Sequence, residues 1–107
     1  MATCTACVPG MWVLEVANAL LVGERRGRLA EADSDAFIAR LQAMNIELEP
    51  MITLRATNTM LSLGRRHDLS AYDCAYLDMA MRLGLPLATL DGKLRQAAAA
   101  VGVALVF

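Results

Sequence analysis

Aromatic side chains are scarce: one Trp, two Tyr and two Phe make up 5% of the 107 residues. A core must therefore be aliphatic, and Ala and Leu together supply 36 positions for it. Histidine occurs once, at His67, and Lys once, at Lys93; nine of the ten basic residues are Arg. A single His leaves little room for histidine metal cages or for Ser-His-Asp chemistry. Positive charge is not in excess either, since ten Lys plus Arg face 11 Asp plus Glu for a net charge of −1. That excludes broad attraction to nucleic acid and leaves only local contacts. Long apolar runs are also missing. The longest run without a charged or strongly polar side chain, Ala97 to Phe107, is 11 residues broken by Gly102, against roughly 20 needed to cross a bilayer. Met1 to Gly10 lack the basic start and apolar middle of an export signal, so a cytoplasmic location is expected.

Three cysteines without such a signal speak against a disulfide framework. Cys4 and Cys7 form a C-x-x-C, but no second pair exists for zinc. A thioredoxin-type site would need a strand before the motif, where only three residues stand. A thiol-redox role remains as a minor alternative.

At 57% apolar the chain is no disordered segment. Its length suits one domain over 1–107, and neither a repeat nor a low-complexity linker divides it. Periodicity predicts a helix opened by Pro9 and Gly10 and running to about Gly23, and a second over about Glu31 to Met44. A short strand follows over Ile46 to Glu49, then a helix over about Thr53 to Arg66. Ser70 caps a helix closed by Gly84. Leu85 to Leu90 reads as a buried strand, Gly92 to Val101 as the last helix, and Val103 to Phe107 as a terminal strand. Such alternation implies a small parallel sheet covered by helices.

Charged residues inside apolar surroundings carry the chemical information, because a buried carboxylate is costly unless it is paired or binds a metal. Glu15 lies among Met11 to Ala17, with Asn18 on its face. Asp73 sits among Ala71, Tyr72, Cys74 and Ala75; its plain alternative is a capping box with Ser70. Asp91 ends the run Pro86 to Leu90, with Thr89 two residues before and Lys93 two after, and its plain alternative is an N-cap. Asp78, roughly 140° around the helix from Asp73, reads as a solvent contact. If Glu15, Asp73 and Asp91 converge, an oxygen-only set without His or paired Cys suits a hard cation, Mg²⁺ or Mn²⁺. Metal-assisted phosphodiester hydrolysis is the corresponding chemistry. The Arg clusters, Arg25 and Arg26 with Arg28, and Arg65 and Arg66 beside His67, suit phosphate; equally they suit helix C-termini.

The segments Trp12-x-x-Glu15-Val-Ala-Asn18, Arg25-Arg-Gly-Arg28, Leu69-Ser70-Ala-Tyr72-Asp73-x-Ala-Tyr76 and Pro86-Leu-Ala-Thr89-Leu90-Asp91-x-Lys93 together resemble PIN-domain ribonucleases of the VapC toxin type. The resemblance runs from Val8 through nearly the whole chain. It implies an α/β/α fold and a Mg²⁺- or Mn²⁺-dependent endoribonuclease, usually a homodimer neutralised by a small antitoxin. It maps the metal-binding, catalytic acids onto Glu15, Asp73 and Asp91, with Asn18, Ser70 and Thr89 in support. By the same likeness, Arg25, Arg26, Arg65, Arg66 and Lys93 become candidate contacts to RNA, the Arg clusters alternatively to the antitoxin.

One departure stands out. Members of that family begin with a central strand carrying an Asp that ligates metal, whereas no acid precedes Glu15 here. The chain is therefore expected to lack that strand, with Met1 to Val8 as a substitute or a second chain pairing at the gap. Loss of the Asp would impair hydrolysis, and a non-catalytic, antitoxin-binding module is the alternative function.

Overall fold

A computed structural model describes residues 6–49 and 53–106. The chain divides into two compact units, Met1–Met51 and Ile52–Phe107. Among the described residues there are five helices and one two-stranded parallel sheet, which places the protein in the α/β class.

The first unit runs β1 (Ala6–Pro9), α1 (Trp12–Arg25), α2 (Glu31–Ala43) and β2 (Ile46–Glu49). β1 and β2 are parallel, with Ala6 opposite Ile46 and Val8 opposite Leu48. Two helices between parallel strands supply the crossover that such a pairing requires. Pro9 ends β1 and does not open α1 as its position suggested. With a single partner strand among the described residues β1 is an edge, where a proline's missing N–H is tolerated. Gly10 then turns the chain where a Cβ would meet the Glu49 carbonyl oxygen at 3.1 Å, an approach glycine permits. α1 closes through Gly27 at φ 71, with the Arg28 and Leu29 N–H groups donating to the Gly23 carbonyl. α2 starts where the Asp33 carboxylate accepts the Ala30 N–H at 2.9 Å. Trp12 and Val16 of α1, Ile38 and Leu41 of α2, and Ile46 and Leu48 of β2 line an apolar groove of about 260 Å³. Of the expected substitute strand, residues 1–5 lie outside the described residues, and Ala6 to Val8 belong to β1.

The second unit runs α3 (Leu54–His67), α4 (Ala71–Leu83) and α5 (Gly92–Ala100). Leu63, Cys74, Leu77, Ala80, Leu87, Leu94, Ala97 and Ala98 form its core. Small residues let the helices approach: a Cβ on Gly64 of α3 would meet the Leu69 carbonyl at 3.1 Å and the Cys74 sulfur at 3.4 Å. Thr53 caps α3, Ser70 caps α4 and Asp91 caps α5, each side-chain oxygen accepting an N–H of the first turn.

The two strands expected here are not formed. Leu85 to Leu90 and Val103 to Val106 meet only at one parallel bridge, Leu87 with Leu105, and Phe107 lies outside the described residues. Leu87 alone of its segment is buried, whereas Leu90 is 84% exposed. An apolar run becomes a strand only where partners flank it, and a single bridge satisfies few backbone groups.

Asp78 is the other correction, since it is buried. α4 is covered around most of its circumference, burying Cys74, Ala75, Leu77, Asp78, Met79 and Ala80. Turning away from Asp73 therefore does not bring a side chain to water. Arg82, one turn on, donates Nε to Asp78 Oδ2 at 2.8 Å and supplies its counter-charge.

Candidate active site

Two helix starts in the second unit carry candidate acids. At α4, the Ser70 hydroxyl oxygen accepts the Asp73 N–H at 3.1 Å. The reciprocal half of a capping box is not formed: no hydrogen bond engages the Asp73 carboxylate among the described residues. Asp73 is half-buried, and Tyr72 beside it is 62% exposed. The Cys74 thiol that follows is fully buried, and burial first, then the Asp73 charge, push its pKa above the ordinary value. A thiol held protonated in this way makes a poor nucleophile and a poor ligand.

At α5, Thr89 and Asp91 form a local unit. The Thr89 hydroxyl accepts the Asp91 N–H at 3.1 Å, and the Thr89 carbonyl accepts Arg95 Nη1 at 3.0 Å. Asp91 Oδ1 caps the helix by accepting the Leu94 N–H at 2.9 Å. Its Oδ2 has no hydrogen-bond partner among the described residues. Asp91 thus does structural work with one oxygen and leaves the other available. Lys93, on the same first turn, donates Nζ to Asp68 Oδ2 at 2.6 Å. That pairing raises the Lys93 pKa and lowers that of Asp68, and the Asp91 charge adds a smaller upward contribution on Lys93.

Glu15 and Asn18 belong to the first unit, where both lie exposed on the first turns of α1. Arg25 and Arg26 end the same helix, and Arg65 and Arg66 occupy the last turn of α3; all four are exposed. Both Arg clusters therefore stand at helix C-termini, where cations complement the dipole. Within either unit taken alone, no three His, Cys, Asp or Glu side chains of the described residues are grouped to hold a metal ion. Ser70, Asp73, Thr89, Asp91 and Lys93 share the second unit. Asp68 was not singled out by sequence; its only signal there is an acid between a basic helix end and the Leu69-Ser70 cap.

In kind, the donors fit a hard divalent cation. The Asp73 carboxylate and Asp91 Oδ2 accept no hydrogen bond among the described residues, hydroxyls at Ser70 and Thr89 hold the backbone N–H groups of Asp73 and Asp91, and the nearby thiol is protonated. Cys7 is half-buried and its thiol lies 3.7 Å from Glu47 Oε2, while Cys4 of the C-x-x-C lies outside the described residues. No helix of the described residues is long and apolar enough to cross a membrane. The PIN domain model matches residues 4–100. No curated protein matches the chain.

Proposed function

The chain belongs to the PIN domain family, and on that premise we propose that it is an endoribonuclease dependent on Mg²⁺ or Mn²⁺, of the toxin type neutralised by a small antitoxin. Nuclease-type function is general to PIN domains, and so is reliance on a divalent cation. The match runs through both units, which supports treating 1–107 as one PIN-like domain.

The observation that carries the reading is the start of α5. Asp91 satisfies the helix with Oδ1 and keeps Oδ2 unengaged, two residues from a cationic side chain suited to phosphate. Asp73 at the start of α4 is likewise spared by its cap, which Ser70 completes through the backbone N–H alone. With Glu15, these two acids are the assigned ligands and catalytic carboxylates. A bound divalent cation supplies acidification of a water and neutralises charge on the phosphate under attack. The chain's own contribution is positional. Thr89 and Ser70 fix the peptide N–H groups of Asp91 and Asp73, Asn18 supports Glu15, and Lys93 with Arg25, Arg26, Arg65 and Arg66 offers charge to the RNA backbone. Cytoplasmic location and a homodimer or higher oligomer complete the assignment by family likeness.

The test is cleavage of single-stranded RNA with Mg²⁺ or Mn²⁺ by this chain and by Asp73→Asn. Metal-dependent cleavage lost in the variant supports the nuclease. No cleavage, or equal cleavage by both proteins, overturns the Asp73-dependent nuclease and argues for the antitoxin-binding module.

A further inference from the structure

Asp68 is an unfavourable residue for its place. It is the C-cap of α3 at φ 55 and ψ 51, the left-handed region that favours Gly or Asn. It also puts a carboxylate at the negative end of the helix dipole, where a cation belongs. Asn or Gly would serve the backbone without that conflict. No ion pair joins Asp68 to Arg65 or Arg66 among the described residues. What the carboxylate does have is Lys93, 25 positions on, at 2.6 Å. Lys93 stands two residues after Asp91, near enough that the Asp91 charge acts on its ammonium. Here it is bound elsewhere, while Asp91 Oδ2 stays unengaged.

We propose that Asp68 is a positioning residue: it holds the Lys93 ammonium off Asp91, so that the second Asp91 oxygen stays open to a divalent cation and the ammonium is stationed for a phosphate oxygen. The proposal rests on the metal-dependent reading above. Without Asp68, Lys93 has Asp91 as its nearest remaining anionic partner on that turn, and the ammonium then competes with the cation for the same oxygen.

The experiment measures Mn²⁺ binding to the full chain by loss of the free-ion paramagnetic resonance signal, with thermal melts as the check on folding. Asp68→Asn keeps the left-handed cap and is expected to weaken Mn²⁺ binding about 3- to 10-fold. Asp68→Glu is expected to retain it. Lys93→Gln should raise affinity more in the Asp68→Asn background than in the parent chain, restoring most of the loss there. Equal effects of Lys93→Gln in both backgrounds would mean a mere sum of distant charges and overturn the proposal. So would an Asp68→Asn chain that melts lower but binds Mn²⁺ as the parent does. If Asp91→Asn leaves parent binding unchanged, the cation is not held at Asp91, and the underlying assignment falls along with the proposal.

Discussion

Substitutions at Asp91 separate its two duties. The Oδ1 oxygen accepts the Leu94 N–H at 2.9 Å, and α5 is only nine residues long, too short to be stable without caps and packing. Asp91→Ala removes the cap, worth about 1 kcal/mol, and the charge at the helix start, worth about 0.5 kcal/mol. The sum of about 1.5 kcal/mol lowers Tm by about 6–12 °C for a domain of this size. Asp91→Asn keeps a capping oxygen and loses only the charge, so Tm falls by about 2–4 °C. Cleavage should not follow that ranking. Both variants lose a proposed ligand, and both should cut RNA about 100-fold or more slowly than the parent chain in Mn²⁺. Calorimetry and a timed cleavage assay at a temperature where all three are folded give the comparison. An Asn variant that cuts at the parent rate, or activities that simply track Tm, would show Asp91 to be a cap and nothing more.

Other outcomes follow from the same geometry. Leu77 is fully buried, so Leu77→Ala should cost about 2–5 kcal/mol by denaturant unfolding. Arg82→Met strips the counter-ion from a carboxylate that is only 11% exposed, and should cost about 1–3 kcal/mol by the same measurement. Cys74 should resist alkylation until the chain unfolds while Cys7 reacts in the folded protein. Because the folded Cys74 thiol keeps its proton above the ordinary value of 9.0, stability should decline as pH rises past that value, when the unfolded thiol ionises first. The Asp68–Lys93 pair should stabilise only in a bounded pH range. The Asp68 pKa is lowered by the Lys93 hydrogen bond, so its contribution is present above 3.8 and lost as pH falls through the lower folded value. Lys93 is raised by Asp68, so its contribution is present below 10.5 and lost as pH climbs through the higher folded value. Melts of the parent chain and Asp68→Asn against pH should therefore converge at both extremes, and also in high salt, since the pair is exposed.

The ends of α4 and the start of α5 were legible because their chemistry closes within four residues. Ser70 and Asp91 each accept an N–H three positions on, and Gly84 takes the left-handed turn at φ 64 that its place after Leu83 implies. Ile46 to Glu49 was likewise readable as a strand from its alternation. The candidate acids were legible by type, since a carboxylate in an apolar stretch needs a reason wherever it falls. Tertiary structure decided everything that depends on a distant partner. Leu85 to Leu90 has a strand's composition but finds only Leu105 across from it, because extended backbone is satisfied between segments and not within one. Asp78 is buried because α4 is covered on nearly all sides, which its own periodicity does not reveal. The choice of Lys93 for Asp68, 25 positions away, over its neighbour Asp91 depends on where the end of α3 meets the start of α5. Local pattern thus determined which residues could do chemistry, and packing decided which of their oxygens remain free for it.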